Sequence, residues 1–532
     1  MIGEAVRSQP RTGRVAALAE SDAVFFPPRR FRWLSLLPTV LVAAAGLVAL
    51  ALTRFDGLYG QDSFAYFDYA TGPLRQGLLH LQPPPPFFWP PGYPLLVALM
   101  SVVVGIIPLA GQIVSITAGA AVPAFTLLLA AEMGRAGNTK ATNQHWYFVP
   151  LVAGLIVAAT GQLLQSSLVV MADTLGLATA TAGAWAFVRY RRTGEARWLA
   201  ISSAAFAWAI ISRWIYGLVA LPFAVWSLVL LARRPRRMSL LHGAGAAAVA
   251  VVILGPVLVP SIAGTIAGGN APFAGDLQVY SWSPVNALRR VFLTGDGELS
   301  YSLPNGLYYA IAPALWWFWG PLLAALVLPG LWAVLRRRAV LLGSLPVAWV
   351  ASVYAFHAGA PWQNPRFALA YLPPLAILAA LGFAQLQSAA HQKIRQAATI
   401  ALFGGLALAA AGSVVLTNEF IERKQNDVAM VHWTERLAPG DAQVFTFGLT
   451  ATFQHYGRLE TLDLSELRSS TMAQLLADGR PTLVLLDVAG IERQWRGRPA
   501  WENYHALRDG PGLVPLGVRD GYSLLVVKQG GP

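Results

Sequence analysis

Long apolar segments recur along most of this chain, from Trp33 to Thr417. Runs of about 20 hydrophobic residues are long enough to cross a hydrocarbon core of about 30 Å, because a helix rises about 1.5 Å per residue. Of the 532 residues, 55% are hydrophobic and only 12% are charged, whereas a soluble domain carries about 25% charged residues. The sequence therefore predicts a mainly α-helical protein that crosses a membrane several times.

The net charge of +13 is unevenly distributed. An N-terminal arm, residues 1–32, and five short loops hold 21 of the 39 lysines and arginines but only 5 of the 26 acids. The loops lie around Arg135, Arg189–Arg197, Arg233–Arg237, Arg336–Arg338 and Lys393–Arg395. Short loops rich in Lys and Arg are typical of the cytoplasmic side of membrane proteins. This pattern accounts for the excess charge without nucleic acid, which we do not expect as a partner.

Placing every basic loop in the cytoplasm defines a topology. Trp33–Thr53 becomes a retained first span, since it is too long for the apolar region of a signal peptide. Gly92–Ala110 is predicted to be a juxtamembrane or re-entrant helix, because counting it as a span would move all later basic loops outside. About eleven crossings result. The other predicted spans are Gln112–Met133, Trp146–Leu164, Leu168–Val188, Trp198–Ile211, Ile215–Ala232, Leu240–Ala263, Pro313–Leu335, Ala339–His357, Phe367–Leu386 and Ala397–Thr417.

Three domains follow from this topology: the cytoplasmic arm, a transmembrane domain over residues 33–417, and a tail over residues 418–532. The transmembrane domain has a first outer loop at residues 54–110 and a second large outer loop at residues 264–306. In the tail, strand-like runs alternate with polar helical stretches, which is typical of a small α/β domain. The runs are Ala442–Gly448, Thr482–Val488 and Tyr522–Lys528. We expect this domain outside the membrane, where it would recognise an acceptor or a partner, or brace the outer loops.

The chain contains no cysteine, which excludes disulfides, thiolate metal sites and cysteine nucleophiles. The His, Asp and Glu residues show no spacing that indicates a metal site, and no dinucleotide-binding, Walker or HExxH motif is present. We therefore predict no metal ligands and name no certain cofactor. A divalent cation is left open.

Charged residues outside the basic loops and the tail are few, and the predicted topology places them at the outer ends of spans or in outer loops. Charges near a bilayer are costly, so those that remain are functional candidates. A coupled transporter carries its carboxylates near the bilayer midplane instead. Acids and arginines gathered at one membrane face indicate a site at the lipid–water boundary.

The first outer loop is the most informative segment. Asp62 follows a Gly-Gln pair and precedes a run of aromatic residues that includes Phe64, Tyr66, Phe67 and Tyr69. One interpretation is a helix N-cap next to an interfacial aromatic belt. The other is a carboxylate that partial desolvation makes a better base. The stiff turn Trp89–Pro94 then returns the chain sharply to the membrane.

Four segments, in order, resemble the GT-C superfamily of membrane glycosyltransferases, especially its protein O-mannosyltransferase and lipid A aminoarabinose transferase branches. They are DSFAYFDYATGPLRQG with WPPGYPLLVAL in the first outer loop, SLVVMADTLGLATA, AIISRWIYGLVALPF and NPRFALAYLPPLAIL. The terminal GYSLLVVK of the tail is also common there. Ser63 departs from the pattern, since the superfamily often has glutamate at that position. This departure weakens the expectation of a two-carboxylate or metal-bridging site.

The resemblance implies that a sugar passes from a polyprenyl-phosphate donor to an acceptor at the outer face of a bacterial inner membrane, usually with inversion. The acceptor would be a lipid, a cell-wall glycan or a protein hydroxyl, and membrane lipid would surround the site. Asp62 would be the general base, and Arg213 and Arg366 would bind the donor phosphate. Arg289 and Arg290 are further candidates for that phosphate. Additional site candidates are Tyr66, Asp68, Trp89, Asp173, His357 and Asn364.

The candidates also have structural interpretations. Arg213 would serve as an interfacial anchor, Asp173 as a helix cap, and His357 as a packed histidine. The alternative function is a transporter or flippase that binds the same lipid-linked glycan without chemistry. It would need a polar path through the bilayer, and the predicted spans carry no charge at mid-membrane. The sequence does not indicate the sugar, the class of acceptor or the oligomeric state.

Overall fold

Apolar runs form helices through most of the chain, as their length predicts. The computed structural model describes residues 35–82, 85, 87–136, 148–266, 281–336 and 340–528. The predicted arm at residues 1–32 lies outside the described residues. Helices α1 to α17 form a bundle, and a sheet domain follows it in the sequence.

The helices of the bundle are α1 (Leu37–Thr53), α2 (Gly60–Tyr69), α3 (Arg75–His80), α4 (Gly92–Val104), α5 (Leu109–Ala136), α6 (Val149–Ala158), α7 (Gly161–Leu168), α8 (Asp173–Thr193), α9 (Ala196–Ser212), α10 (Tyr216–Ala232), α11 (Arg236–Ile266), α12 (Asn305–Ile311), α13 (Pro321–Ala325), α14 (Val327–Arg336), α15 (Val340–Gly359), α16 (Leu372–Gln387) and α17 (Gln392–Leu437). A π-helical turn, Ala70–Leu74, joins α2 to α3, and 3₁₀ helices lie at Pro284–Leu288, Ala312–Ala314 and Pro365–Tyr371.

Within the described ranges, four helical stretches are long and apolar enough to cross a membrane. They are Leu109–Arg135, Arg236–Val259, Pro365–Gln387 and Gln392–Leu437. The pair α6–α7 is a fifth candidate, and its two halves meet at 58°. Further apolar helices of 10–17 residues include α1, α4, α9 and α10. The helices are those of an integral membrane protein, and the count of about eleven crossings stays a prediction.

Two predicted spans are not continuous helices. The first, Trp146–Leu164, bends at Thr160, where the Trp319 indole N–H donates to the Thr160 hydroxyl at 2.9 Å. The second, Pro313–Leu335, is interrupted at Gly320, which has a φ of 75° and precedes the first proline of α13. Both breaks lie inside protein and contact each other, since the Gln162 backbone N–H beyond the first break donates to the Trp317 carbonyl before the second at 3.2 Å.

Helix α17 runs through the predicted domain boundary at Asn418 and ends only at Leu437. The sequence contains neither Gly nor Pro between Gly412 and Pro439, so nothing local stops the helix where it turns from apolar to polar. Helix α17 is therefore shared by the bundle and the sheet domain, and the first strand of the sheet domain begins only after this helix has ended.

The sheet domain has five strands in the order β4-β3-β5-β7-β6. The strands are β3 (Gln443–Thr446), β4 (Glu460–Asp463), β5 (Thr482–Leu486), β6 (Leu513–Arg519) and β7 (Tyr522–Val527). Strands β4, β3 and β5 are parallel, and β7 is antiparallel to both neighbours. The helices are α18 (Thr450–Tyr456), α19 (Ser469–Ala477), α20 (Val488–Gln494) and α21 (Pro499–Asp509). A separate hairpin, β1 (Val291–Thr294) and β2 (Gly297–Ser300), lies in the second outer loop.

Candidate active site

Two ion pairs meet at the end of the bundle that faces the sheet domain. In the first, Asp173 is the initial residue of α8, where the helix dipole favours a negative charge. Its Oδ1 pairs with Nη1 of Arg213, the residue that ends α9. The other oxygen, Oδ2, is buried and has no hydrogen-bond partner among the described residues. Asp173 therefore lies in the first turn of its helix but is not the cap, since the N-cap is Ala172 and no side chain makes a capping bond, and one of its oxygens remains an unused acceptor.

The second pair joins residues far apart in the sequence. Nη2 of Arg366 donates to Oδ2 of Asp62 at 2.7 Å, and Nη1 of the same guanidinium lies 2.6 Å from Sδ of Met171. The Asn364 side chain caps the 3₁₀ helix by accepting a bond from the Arg366 backbone N–H at 3.1 Å. The first outer loop is thereby tied to the chain that enters α16.

The N-cap interpretation of Asp62 is wrong. The N-cap of α2 is Tyr59, and Asp62 lies in the first turn with its side chain 35% exposed. Ser63 serves the helix start instead, since its buried hydroxyl accepts a bond from the Tyr59 backbone N–H at 2.7 Å. The carboxylate of Asp62 therefore does not cap the helix and instead accepts a bond from Arg366.

A cavity of about 360 Å³ opens between the two ion pairs. It is lined by Asp62, Tyr66, Phe88, Trp89, Met171, Arg213, Asp296, Trp362, Gln363, Asn364, Arg366 and Phe367. These residues come from the first outer loop, the segment before α8, the end of α9, the β1–β2 turn and the segment before α16. Convergent charged groups beside aromatic walls are typical of a ligand site.

Aromatic rings shape the walls of the cavity. Tyr66 stacks on Trp89 with ring centroids 5.0 Å apart and an interplanar angle of 23°. The Phe367 ring lies near both guanidinium groups, with its centroid 5.6 Å from Cζ of Arg213 and 5.5 Å from Cζ of Arg366. Cation–π contacts of this kind favour the charged arginines at a partly desolvated position.

Several predicted candidates lie outside the lining. Asp68 is exposed on α2, where neighbouring protein atoms raise its pKa by desolvation and His455 opposes that rise. Arg289 and Arg290 are exposed beside the hairpin. The structure does not bring these three side chains to the cavity, and their roles stay predictions.

His357 lies one layer behind the cavity. Its ring is buried, stacked on Phe367 at 5.1 Å between centroids and on Tyr309 at 5.3 Å. Neither ring nitrogen has a hydrogen-bond partner among the described residues. The contacts are those of the packed histidine, and they support the wall that holds Phe367.

Sequence reasoning missed six residues of the lining, which are Phe88, Met171, Asp296, Trp362, Gln363 and Phe367. Asp296 accepts a bond from the Trp362 indole N–H at 2.9 Å through its Oδ2. Trp362 and Gln363 could have been found by their position in the sequence, since they directly precede the NPRF segment that carries Arg366. Asp296 lies in a hairpin turn whose approach to Trp362 depends on tertiary contacts.

Across the described ranges, no group of three or more His, Asp or Glu side chains is arranged to hold a metal ion. The two carboxylates that line the cavity are already engaged, Asp62 by Arg366 and Asp296 by Trp362. What the arrangement offers chemically is the carboxylate of Asp62 beside two arginines, with the exposed carboxylate of Asp296 also on the lining.

Solved structures of membrane glycosyltransferases share this architecture. The structure of ArnT from Cupriavidus metallidurans bound to undecaprenyl phosphate matches with a TM-score of 0.58 and 13% identity, over 93% of this chain and 99% of that chain. ArnT in the apo state matches with a TM-score of 0.53 and 14% identity, over 98% and 99%. The archaeal oligosaccharyltransferase AglB from Archaeoglobus fulgidus, in complex with an inhibitory peptide and a dolichol-phosphate, matches with a TM-score of 0.53 and 13% identity, over 86% and 70%.

No protein-family model matches the sequence, and no curated protein matches it. The structural likeness nevertheless extends over nearly the whole chain, and ArnT, the lipid A aminoarabinose transferase, and AglB both belong to the GT-C superfamily. The chain therefore has the fold of the GT-C membrane glycosyltransferases, as the four segments of its sequence predict.

Proposed function

We propose that this chain is a membrane glycosyltransferase that moves a sugar from a polyprenyl-phosphate donor to an acceptor hydroxyl. The observation that carries the proposal is one cavity in a GT-C fold that combines the accessible carboxylate of Asp62 with Arg213 and Arg366. The undecaprenyl phosphate bound to ArnT and the dolichol-phosphate bound to AglB support this class of donor.

The donor phosphate would bind between the two arginines. A planar guanidinium matches the oxygens of a phosphate and keeps its charge. The Asp62–Arg366 pair is the one that a phosphate would open, because the Asp62 side chain is 35% exposed whereas that of Asp173 is 5% exposed. Arg213 would then stay fixed by Asp173 while Arg366 changes partner.

Release from Arg366 would let Asp62 act as the base. The acceptor oxygen attacks the anomeric carbon, the bond from that carbon to the phosphate oxygen breaks, and the phosphate leaves with the electron pair. The acceptor proton passes to the Asp62 carboxylate, and the two guanidinium groups stabilise the charge that develops on the phosphate. A single displacement of this kind inverts the configuration at the anomeric carbon.

We place the cavity at the outer face of a bacterial inner membrane, with the N-terminus in the cytoplasm and the sheet domain outside. The arginines at the far end of α8 support this orientation, since basic residues prefer the cytoplasmic side. Helix α8 has 21 residues and is about 30 Å long, which is long enough for its two ends to reach opposite faces of the membrane.

Turnover of labelled polyprenyl-phosphate monosaccharides by the purified protein in lipid tests the proposal. The native chain should release polyprenyl phosphate, and Asp62→Asn should lower the rate by about 10²- to 10⁴-fold, the usual contribution of a general base. Glu298→Gln, which changes an exposed carboxylate on β2 outside the cavity, is the matched control and should retain the native rate.

Two results would contradict this assignment. An Asp62→Asn variant as fast as the native chain would remove Asp62 from the mechanism. Saturable binding of donor lipids with no turnover, across a panel of sugars and acceptors, would favour the transporter alternative instead.

A further inference from the structure

A lysine is buried where the bundle, the first outer loop and the sheet domain meet. Lys424 lies in the polar half of α17 and is 6% exposed. Its Nζ donates to Oδ1 of Asp56 at 2.7 Å, to the Leu58 carbonyl at 2.6 Å and to the Tyr456 hydroxyl at 2.5 Å. An ammonium has three donors, and all three are used, which offsets the cost of its burial.

Tyr456 closes the cluster from the side of the sheet domain. It ends α18, and its hydroxyl donates to Oδ2 of Asp56. Burial, together with that bond to a carboxylate, raises the pKa of Tyr456, so the hydroxyl remains a donor. The ammonium of Lys424 also lies 4.3 Å from the centroid of the Tyr456 ring. One cluster thus joins α17, α18 and the segment that leads into α2.

This cluster lies next to the helix that carries Asp62. Lys424 bonds to residues on both sides of Gly57, which has a φ of 83°, and α2 begins at Gly60, which has a φ of 72°. Two glycines in the left-handed region connect α1 to α2, and glycine has the least restricted backbone of any residue. The position of Asp62 therefore depends on what anchors the intervening residues. Lys424 is one anchor, beside the Gln112 side chain, which donates to the Phe55 carbonyl at 2.9 Å, and the Val170 backbone N–H, which donates to the Gly57 carbonyl at 3.0 Å.

The buried face of α2 rests on the sheet domain itself. The ring of Phe64 lies 5.7 Å from that of His455, and the ring of Phe67 lies 6.0 Å from it. Asp62 lies on the same helix and lines the cavity. A shift of α18 would consequently move Asp62 relative to Arg366.

The sheet domain also holds the second acidic residue of the cavity. The Gln494 side chain donates to the Asp296 carbonyl at 2.8 Å, and Arg498 donates to the Thr294 carbonyl at 2.6 Å. The approach is so close that a Cβ at Gly297 would lie 2.2 Å from the Gln494 carbonyl oxygen. Asp62 and Asp296 are thus both positioned from one domain.

We propose that the sheet domain sets the geometry of the cavity, and that Lys424 is the positioning residue that aligns Asp62 with Arg366. The catalytic consequence rests on the function proposed above for Asp62, whereas the alignment itself does not. Lys424 does not line the cavity and would act on the reaction only through α2.

Distance measurement tests the alignment directly. The chain has no cysteine, so spin labels can be attached at Gln61→Cys on α2 and Ser470→Cys on α19, both exposed positions. We expect one narrow distance distribution in the otherwise native chain and a broadened or shifted one with Lys424→Met. Arg423→Met, an exposed neighbour on α17, is the matched control and should leave the distribution unchanged.

Kinetics test the consequence. Lys424→Met should lower kcat by about 10- to 100-fold and change KM for the donor by less than about threefold, because a misplacement near 1 Å costs about that much in rate while donor binding to Arg213 persists. Lys424→Arg, which keeps the charge, should restore part of kcat. If Lys424→Met does not fold, the paired change Asp56→Asn with Lys424→Gln removes both charges together and should show the same two defects.

The outcomes separate the two proposals. A folded Lys424→Met or paired variant with the native distance distribution and native kcat would overturn the positioning role. A disturbed distribution in a chain whose native form turns over no donor would support the alignment and reject the transferase assignment.

Discussion

Each end of α8 has a cluster of carboxylate and arginine side chains, and the two clusters behave differently. At the end that faces the sheet domain, Asp173 pairs with Arg213 beside the cavity. At the far end, Glu132 of α5 is 2% exposed and pairs with three arginines. They are Arg135 at 3.1 Å, Arg189 at 3.6 Å and Arg192 at 2.8 Å.

The two clusters differ in whether both carboxylate oxygens of the acid accept bonds, and in whether its arginine lines the cavity. Both oxygens of Glu132 accept bonds from arginines, and Arg189 also packs on Trp198, with its Cζ 4.2 Å from the ring centroid. One oxygen of Asp173 has no partner among the described residues, and its arginine lines a cavity. We expect the saturated cluster to stabilise the fold, whereas Arg213, held by Asp173, lines the cavity and is placed to contact a ligand without losing its partner.

The largest expected effect is a difference in kcat/KM between two variants. One replaces Arg366, which lines the cavity, and the other replaces Arg192, which belongs to the far cluster. Arg366→Met should lower kcat/KM by about 10²- to 10³-fold, because it removes a preorganised charge from the leaving phosphate. Arg192→Met should leave the kcat/KM of the folded protein close to native, since Arg192 pairs with Glu132 at the far cluster and is not part of the cavity lining. Both values come from turnover of the labelled donor. Equal losses in the two variants would show that the clusters do not differ in function.

Helices whose length and ends follow from a continuous apolar run could be predicted from the sequence. Helix α9, predicted as Trp198–Ile211, extends over Ala196–Ser212, and α10, predicted to start at Ile215, starts at Tyr216. The span through Gly320 is broken by a local signal, the Gly320–Pro321 pair, but the partner of that break is non-local. The Trp319 bond to Thr160 joins positions 159 residues apart, and no pattern within either segment reports it.

The sequence predicted which residues belong to the candidate site, but it did not predict which of their side chains bond to each other. Asp62, Arg213 and Arg366 stand out through the segments that resemble the superfamily. The Asp62–Arg366 bond connects positions 304 residues apart, so only the fold reveals that these two side chains are partners. Arg289 has the same charge as Arg366 and remains exposed, because exposure is decided by packing rather than by residue type.

A second prediction concerns stability at the far cluster. Glu132→Gln should lower the free energy of unfolding by about 2 kcal/mol, less than for a fully buried pair because the arginines are partly exposed. The remaining guanidinium groups would then repel one another without a shared anion. Thermal unfolding in detergent measures the loss, and kcat of the folded fraction should stay native. A drop in kcat with unchanged unfolding temperature would reverse the roles assigned to the two ends.

The smallest expected effect is a pH dependence of the free energy of unfolding, which arises from Asp427 in the part of α17 that adjoins the sheet domain. Partial burial raises the pKa of Asp427 from 3.8 to about 6, and Lys424 opposes that rise. Asp427 lies in the polar half of α17, beyond the apolar run. Because the folded chain holds this proton more tightly than the unfolded chain, the contribution to stability is complete below about pH 4. It is lost as the pH rises through 6.

Asp427→Asn removes this titration, so its unfolding temperature relative to the native chain should increase between pH 4.5 and 7.5. The two-unit shift sets an upper limit near 3 kcal/mol, and solvent screening of a partly exposed group reduces the expected change to about 1 kcal/mol. The same increment should be found in the Glu132→Gln background, because distant sites add. An increment that disappears there would mean that the far cluster is coupled to the region of α17 around Asp427, and the far cluster could no longer be treated as independent of the end that faces the sheet domain.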